Sequence, residues 1–490
     1  MRIVGLITEY NPFHAGHLYH MQRARELTGA DYCVVLMSGS FVQRGEPAIF
    51  DKYRRAKAAL LAGADLVLEM PVAFSTASAH EFAAYGVALF SAIGVNAVVF
   101  GSECGQIERL RQAAYALNHE SAEFRERLQK GLKEGLTYPQ ARARALEETQ
   151  ADGTKVENVE DFSNCNNASS PDSSRYLELG KKKTDVSESH IWTSVLNSPN
   201  NILGIEYLRA AETLHSPMEF YTISREGSGY HEDALEETKF PSASAIRGMI
   251  QKSYGNLADD IPASLKQNPG SDSKNGFLFH ILTPHLPGVT HPAYTDAVSV
   301  FANDFSELLN LAVLQMQKSP TKDFSAAASI VIPFSASSVN ANMQAISRIA
   351  DLSPELAARL AKPPYFPLSF EERVQALKTR QLTYTRVSRA LLHLVLGMRE
   401  NDISRWKDEG YALYARILGF RRQSSPLLSY LHKKSSIPLV TKMADAAQNL
   451  SPSALALLEQ EVYASHLYQT VRMKRGGVFQ NEYTEGLIFI

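Results

Sequence analysis

Residues 1–24 read MRIVGLITEYNPFHAGHLYHMQRA and combine an apolar run with two histidines placed around a glycine. The run at residues 2–8 predicts a buried β-strand, and residues 18–27 have the apolar spacing of a helix. The motif NPFHAGH therefore lies where a strand ends and a helix begins. Gly16 lets the backbone approach a ligand closely, and free N–H groups at a helix N-terminus attract anions. This stretch predicts a phosphate-binding loop.

The same alternation of strand and helix patterns continues to residue 100. Further strands are predicted at residues 32–37, 66–70 and 97–100, and further helices at residues 52–62 and 81–93. Near-continuous apolar strands separated by helices are typical of a parallel sheet with both faces covered. We therefore predict a Rossmann-like α/β fold, a doubly wound parallel sheet in which ligands bind beyond the carboxyl ends of the strands.

The remainder of the chain predicts further regions. Residues 121–150 have a helical pattern, whereas residues from about 151 to 197 are polar and lack an apolar period, which predicts a surface insertion. Helical patterns at residues 198–214 and 242–250 flank a strand pattern at residues 218–225. We predict an α/β domain at residues 1–250, a connecting region at 251–330 and a mainly α-helical, basic C-terminal domain at 331–490.

Composition excludes several classes of protein. Of 490 residues, 44% are hydrophobic, and no apolar run reaches the roughly 18 residues that a membrane span needs. The N-terminus lacks the basic and apolar regions of a secretory signal. Three widely spaced cysteines, Cys33, Cys104 and Cys165, favour neither a disulfide framework nor a zinc site. We expect a soluble cytoplasmic protein without a membrane partner.

Positive charge is concentrated near the C-terminus. The whole chain has a net charge of −2, but residues 361–450 contain fifteen Lys and Arg against seven Asp and Glu, an excess of eight positive charges. Such a local excess suits a polyanionic partner, although runs of charge also occur on ordinary solvated helix faces.

The histidines of the first motif would project toward the same point. Imidazole donors there can stabilise the charge that develops on an α-phosphate as pyrophosphate leaves, with neither His14 nor His17 acting as a nucleophile. Two other interpretations stay open. The pair could ligate a metal, although no third ligand is placed to complete the site, or it could cap the helix and pack. His20, one turn later, is expected to pack or to support the histidine pair without touching the ligand.

A wider set of segments resembles a known family. HxGH at the end of a first parallel strand is similar to the signature of nucleotidyltransferases related to class I aminoacyl-tRNA synthetases. The segments that together resemble the bacterial tRNA-Met cytidine acetate ligases are GLITEYNPFHAGHLYH, MSGSFVQRGEPAIFDKYRRAKAALLAGADLVLEMPV, VVFGSE, PNNILGIEYLRA, TISREGSGYHE and SASAIR. The resemblance implies an ATP-dependent ligase that forms acetyl-adenylate from acetate. It would then acetylate N4 of the wobble cytidine of elongator tRNA-Met.

The resemblance also implies which residues bind ATP. Mg²⁺ would enter together with ATP, and no protein-bound metal cluster is expected. Ser242, Ser244 and Arg247 match a second motif of these enzymes that holds the β and γ phosphates. The other implied ATP-binding residues are Ile7, Thr8, Glu9, Tyr10, Asn11, Pro12, Phe13, His14, Ala15, Gly16, His17, Leu18, Tyr19, His20, Gly101, Asn200 and Arg225.

These implied roles have physical reasons and simpler alternatives. A side chain at residue 101 would collide with an adenine or ribose over the sheet edge, although Gly101 also suits a plain turn. Asn200 offers a donor and an acceptor but also suits a helix cap. Arg225 suits bidentate phosphate binding or a surface salt bridge, and Ser242 suits a helix N-cap.

A further group of candidates follows the second strand. Arg44 and Lys52 flank a glycine-containing loop and are predicted to bind a carboxylate or pyrophosphate, so that they complete a catalytic set with His14 and His17. Arg54 is predicted to be a solvated helix charge. Adenylation needs no protein base because acetate is already ionised, and no general base is assigned for the transfer step.

The basic C-terminal region is predicted to hold tRNA by its phosphates, and Tyr384 and Phe420 to stack on bases. Two other function classes stay open: a small-molecule adenylyltransferase of the HxGH class, which needs no large basic region, and a noncatalytic RNA-binding protein on a nucleotide fold. The cations predicted to contact tRNA are Lys378, Arg380, Arg386, Arg389, Arg421, Arg422, Lys433 and Lys434.

Overall fold

The predicted sheet is present and extends into the C-terminal region. The structure is a computed structural model that describes residues 1–151, 191–224, 242–256, 282–318, 349–362 and 365–490. The strands in these residues are β1 Ile3–Thr8, β2 Tyr32–Ser38, β3 Phe41–Val42, β4 Glu46–Pro47, β5 Leu66–Met70, β6 Ala97–Ser102, β7 Glu219–Ser224, β8 Ala415–Phe420, β9 Leu439–Val440 and β10 Ile488–Phe489.

Five strands form the parallel part of the sheet. They lie in the order β5, β2, β1, β6 and β7, and all run in the same direction. β8 pairs antiparallel with β5, and β9 and β10 run parallel to β8. β3 and β4 form a separate hairpin. The carboxyl ends of the five strands therefore meet at one edge, which confirms the predicted doubly wound α/β fold.

Helices cover both faces of the sheet. α4 and α9 bury Phe90 and Ile205 on one face, and α1, α2 and α10 bury apolar residues on the other. The α-helices in the described residues are α1 Ala15–Thr28, α2 Lys52–Leu61, α3 Val72–Ser75, α4 Ala79–Ile93, α5 Ile107–Asn118, α6 Ala122–Lys133, α7 Tyr138–Ala151, α8 Ile191–Asn197, α9 Pro199–Thr213, α10 Ala243–Asn256, α11 His291–Tyr294, α12 Ser306–Lys318, α13 Pro354–Leu360, α14 Phe370–Leu377, α15 Tyr384–Leu396, α16 Glu400–Asp408, α17 Ser425–Lys434, α18 Ala446–Asn449 and α19 Pro452–Lys474. None of the helices in this part of the chain is both long and apolar enough to cross a bilayer.

Most elements predicted in the first 100 residues match the structure within a few residues. β5 has the predicted bounds, and α2 ends at Leu61, one residue earlier than predicted. α1 begins at Ala15, three residues earlier than predicted, because the side chain of His14 caps it. The caps, which depend on side-chain hydrogen bonds, decide where these helices begin.

Two regions differ from the prediction. Ala415–Phe420, in the region expected to be mainly helical, forms β8, because a short buried apolar run has no periodicity that separates a strand from a helix. Residues 191–197, expected in the polar insertion, form α8, where Val195 and Leu196 are buried. Residues 152–190 of that insertion lie outside the described residues. The C-terminal region thus completes the sheet of the N-terminal region.

Candidate active site

The loop after β1 holds its two histidines in a reciprocal cap. The chain turns at Tyr10 in the left-handed region (φ 48°), and α1 starts directly after His14. Nδ1 of His14 accepts a hydrogen bond from the N–H of Gly16 (3.1 Å), and Nδ1 of His17 accepts one from the N–H of His14 (3.2 Å). A ring nitrogen that accepts a hydrogen bond carries no proton, so each neutral ring carries its proton on Nε2. His14 and His17 can therefore cap the helix through Nδ1 and still donate hydrogen bonds to a ligand from Nε2.

A cleft of about 480 Å³ opens beside this loop, at the carboxyl edge of the sheet. Its lining combines aromatic and aliphatic side chains such as Phe82, Phe100 and Leu203 with the two histidines. Apolar walls suit a flat nucleobase, and imidazole and backbone donors suit phosphates. Of the residues predicted to bind ATP, those that line the cleft are Ile7, Thr8, Glu9, His14, Gly16, His17, Tyr19, His20, Gly101, Asn200 and Ser242.

Other predicted loop residues support the loop instead. Oδ1 of Asn11 accepts a hydrogen bond from the N–H of Ile49 (2.8 Å), and the N–H of Phe13 donates to the hydroxyl of Tyr294 (3.3 Å). The rings of Tyr10 and Phe13 are buried and pack edge to face. The predicted positions that do not line the cleft are Tyr10, Asn11, Pro12, Phe13, Ala15 and Leu18.

The second predicted phosphate motif also braces the loop. Arg247 donates from Nη1 to the carbonyl oxygen of Asn11 (2.7 Å) and from Nη2 to Oγ of Ser244 (3.1 Å). Burial lowers the pKa of the Arg247 guanidinium, and the charge of Glu46 opposes that shift. Ser242 caps α10 and lines the cleft, whereas Ser244 and Arg247 do not line it. Arg225 lies outside the described residues.

Lys52 does not reach the cleft, which corrects its predicted role as a ligand. Its Nζ is fully buried and lies 2.6 Å from Oε1 of Glu69, 2.9 Å from Oε1 of Glu482 and 3.6 Å from Oε1 of Glu461. Arg416 pairs with Glu69 (2.7 Å) and with Glu482. The sequence correctly placed Lys52 after the second strand, but tertiary packing against Glu69 of β5 and two C-terminal glutamates decides its partners.

Arg55, on the same helix, joins the ends of two central strands. It donates from Nε to the carbonyl oxygen of Phe50 (2.9 Å) and from Nη1 to those of Glu9 (2.7 Å) and Ser38 (3.0 Å). Nη2 donates to the carbonyl oxygen of Gly39. A fully buried arginine that binds four carbonyls fixes the spacing between the loops after β1 and β2.

The C-terminal region supplies one part of the cleft wall. Thr385 and Arg389, one turn apart on α15, line the cleft together with Arg44 of the β3–β4 turn. Gly45 (φ 74°) lets that turn touch α15, because a Cβ there would overlap the backbone of Arg389. Oγ of Ser388 donates to the carbonyl oxygen of Gly45 (2.8 Å). Sequence reasoning missed Thr385, since no local pattern marks a residue that meets the site only through tertiary packing.

Asn200 lies at the cleft and is held by Glu103, which sequence reasoning also missed. The N–H and Nδ2 of Asn200 donate to Oε1 of Glu103 (3.2 and 2.6 Å), and the N–H of Asn201 donates to Oε2 (2.8 Å). In return, Oδ1 of Asn201 accepts from the N–H of Glu103 (2.9 Å). This reciprocal set joins the end of β6 to the start of α9. The available signal was an acidic residue just after a strand, since a carboxylate there can accept hydrogen bonds from the N-terminus of a helix.

The cations predicted to contact RNA fall into two groups. Arg389 lines the cleft, and Arg386 is exposed three residues earlier on α15. Lys378 and Arg380 are exposed in the segment that leads into this helix. Arg386 and Arg389, on one helix, lie on the cleft side of the molecule.

The second group lies at the opposite edge of the sheet. The N–H of Arg421 donates to the carbonyl oxygen of Asp65, at the amino end of β5, and Arg422 follows it. Lys434 lies beside Gly94, which precedes β6, and Lys433 is adjacent. The sequence could not separate the two groups, because β8 carries the chain from one edge of the sheet to the other.

The aromatic residues predicted to stack on bases have partners within the protein. The ring of Phe420 packs against that of Phe489, with centroids 5.0 Å apart. Tyr384 is partly buried and hydrogen-bonded to Glu46, and burial raises the pKa of its hydroxyl. Within the described ranges, no group of three or more His, Cys, Asp or Glu side chains is arranged to hold a metal ion.

Comparisons with known proteins agree with one another. A family model described as HIGH Nucleotidyl Transferase matches residues 1–481. The tRNA(Met) cytidine acetate ligase of Acetivibrio thermocellus is 32% identical over 494 residues, with all of both chains covered. That of Alkaliphilus metalliredigens is 32% identical and covers 96% of this chain and 94% of its own.

Solved structures give the same picture. The crystal structure of Thermotoga maritima TmcAL bound with alpha-thio ATP is 26% identical and has a TM-score of 0.73. The match covers 100% of this chain and 99% of that one. An apo form of the same protein has a TM-score of 0.76 and is covered over its full length.

Proposed function

We infer that the chain, which belongs to the tRNA(Met) cytidine acetate ligase family of HIGH nucleotidyl transferases, is an ATP-dependent ligase that acetylates a tRNA cytidine. The family confirms the resemblance found in the sequence. It supports the ligase over a small-molecule adenylyltransferase and over a noncatalytic RNA-binding protein. The observation that carries the mechanism is the pair of imidazole donors, His14 and His17, at the N-terminus of α1 and on the wall of the cleft.

The first step we propose is the formation of acetyl-adenylate. A carboxylate oxygen of acetate bonds to the α-phosphorus of ATP, and the bond from that phosphorus to the bridging oxygen breaks. Pyrophosphate leaves with the electron pair. Nε2–H groups of His14 and His17 and the positive end of the α1 helix dipole stabilise the negative charge on the α-phosphate. No proton is transferred in this step, since acetate enters as its anion.

The cleft also suits the rest of the nucleotide. Aromatic and aliphatic side chains, including Phe100, offer a surface for adenine, and Gly101 leaves room at the end of β6. Asn200, held in place by Glu103, is suited to contact ATP, and Arg44 is suited to bind acetate or pyrophosphate. Mg²⁺ would enter with ATP, held mainly by phosphate oxygens and water, and would neutralise charge on the phosphates.

The second step transfers the acetyl group to N4 of the wobble cytidine of elongator tRNA(Met). N4 bonds to the carbonyl carbon of acetyl-adenylate, the bond from that carbon to the phosphate oxygen breaks, and AMP leaves. The nitrogen then loses one proton to solvent. Residues 1–250 would hold ATP and acetate, residues 251–330 would connect, and residues 331–490 would hold the RNA. Arg386, which is exposed three residues before Arg389 of the cleft wall, suits this role.

Acetate-dependent exchange of labelled pyrophosphate into ATP tests the first step. Mass spectrometry of nucleosides from tRNA(Met) incubated with ATP and acetate tests the second. We expect exchange that requires acetate and the appearance of N4-acetylcytidine. Exchange that depends on a different acid, or acetylation of no tRNA, would contradict the proposal.

A further inference from the structure

An ion pair holds the side chain of Arg389 in place at the wall of the cleft. Its Nε donates to Oδ2 of Asp351 (3.1 Å), and its side chain is 15% exposed. Among the described residues, this is the one hydrogen bond that the guanidinium makes. The two terminal nitrogens of a guanidinium form a planar fork that matches a phosphate or a carboxylate. Arg389 is therefore an oriented anion site on the cleft wall.

Asp351 is itself held in place. Its backbone is left-handed (φ 60°), and its Oδ2 lies 3.6 Å from Nδ1 of the buried His393. The same Nδ1 lies 3.2 Å from the carbonyl oxygen of Ala350, and Nε2 lies 2.9 Å from Oγ1 of Thr76. Burial alone would raise the pKa of Asp351, but His393 and Arg389 lower it, so the carboxylate stays charged. Thr76 directly follows α3 in the N-terminal region. The contacts from Thr76 through His393 and Asp351 therefore hold Arg389 in a fixed position relative to the sheet.

Neighbouring charge indicates which anion this site suits. Arg386 is three residues earlier on the same helix and exposed, so the two guanidinium groups are neighbours on the helix surface. Lys378 and Arg380 are exposed in the segment before the helix. An exposed arginine next to one on the cleft wall suits a polyanion that extends from the cleft onto the surface, whereas acetate or a nucleotide phosphate needs only the arginine on the cleft wall.

We propose that Arg389, oriented by Asp351, binds an RNA backbone phosphate next to the nucleotide whose base enters the cleft. The proposal rests on the proposed function, because it assumes that RNA is the second substrate. Arg389 contacts the RNA, and Asp351 is a positioning residue that acts through it. RNA then approaches across α15 and the β3–β4 turn, from the side opposite to Arg421, Arg422, Lys433 and Lys434.

Two assays on the full chain test this assignment. The rate of acetate-dependent ATP–pyrophosphate exchange without RNA reports on the nucleotide site. The KM for tRNA(Met) in the acetylation reaction, measured at several salt concentrations, reports on RNA binding. For Arg389→Ala we expect the KM for tRNA to rise about tenfold to hundredfold. The slope of log KM against log salt should fall by about 0.7, the value for one phosphate contact in a single strand.

Three further variants separate charge from orientation. Arg389→Lys should keep the salt slope but still raise the KM for tRNA, because an ammonium cannot form the planar fork. Asp351→Asn should raise the KM for tRNA severalfold with the salt slope unchanged, whereas a purely structural role would lower kcat and exchange together. Arg399→Ala, which removes an exposed arginine just beyond the other end of the helix, is the matched control and should leave both assays unchanged.

The outcomes distinguish the possible failures. If Arg389→Ala loses exchange as much as acetylation, Arg389 serves ATP or acetate and the proposal is overturned. An unaltered KM and salt slope for tRNA would overturn it as well. If the unmodified protein shows neither exchange nor acetylation, the proposed function itself fails, whatever the variants do.

Discussion

The rings of His14 and His17 lie 3.8 Å apart between centroids, and each uses Nδ1 to accept a backbone hydrogen bond of the same turn. One nitrogen of each ring therefore shapes the helix N-terminus, while the other carries the proton. Capping and phosphate binding are thus combined in the same side chains. A test of the chemistry has to keep the cap and remove the donor.

The substitution His14→Asn does this. Asparagine is a favoured N-cap, so the midpoint of thermal unfolding should stay within a few degrees of the original. Acetate-dependent exchange should fall about a hundredfold or more, because an oriented donor to the α-phosphate is lost. Exchange assays and circular dichroism melts measure the two effects.

The matched control is His119→Asn, since His119 pairs with Glu212 away from the cleft and should keep full exchange. If His14→Asn kept exchange as well, the donor role of His14 would be wrong. A large loss of stability would instead show that the imidazole is needed for the fold.

Glu103→Gln tests how Asn200 is positioned. Loss of the charge weakens the hydrogen bonds that hold Asn200, so we expect the KM for ATP in the exchange assay to rise about threefold to tenfold, with kcat little changed. Glu108→Gln, an exposed acid five residues further along, should change neither constant. An equal KM for both variants would show that Asn200 does not contact ATP.

Lys52→Met tests the buried ion pairs. Removing the cation leaves Glu69 and Glu482 short of a partner, so we expect the free energy of unfolding, measured with urea, to fall by about 3–5 kcal/mol. Lys57→Met, on the same helix, should cost less than about 0.5 kcal/mol. If Lys52→Met kept its stability and lost exchange, Lys52 would be a ligand after all.

Glu206 predicts a pH dependence of stability. Burial alone would raise its pKa, but the hydrogen bond with His80 and the charges of Arg209 and Arg142 lower it from 4.5 to about 2. A depressed pKa stabilises the fold at pH values above 4.5, and this contribution is lost as the pH falls from 4.5 toward 2.

Glu206→Gln isolates that contribution. At pH 7 the variant should be less stable by up to about 3 kcal/mol, and the difference should shrink as the pH approaches 2. Thermal melts of both proteins between pH 3 and 7 measure it, with Glu212→Gln as a control at a more exposed acid. A difference that stays constant with pH would contradict the assignment.

The sequence was sufficient for elements that are determined locally. The apolar run before NPFHAGH and the bounds of β5 follow from short-range patterns, and the HxGH motif located the loop correctly. Local patterns did not predict which side chains contact one another. Lys52 lies beside glutamates more than 390 residues away in sequence, and Arg389 reaches the cleft because Gly45 allows a close approach. Such contacts depend on how separate elements pack, which local periodicity does not record.

A crystal structure with a nonhydrolysable ATP analogue, such as α,β-methylene ATP, would locate the phosphates relative to the two histidines. We predict the α-phosphate at the N-terminus of α1, with Nε2 of His14 and His17 about 3 Å from its oxygens and adenine against the apolar wall of the cleft. Phosphates bound elsewhere, with both rings turned away from them, would contradict it.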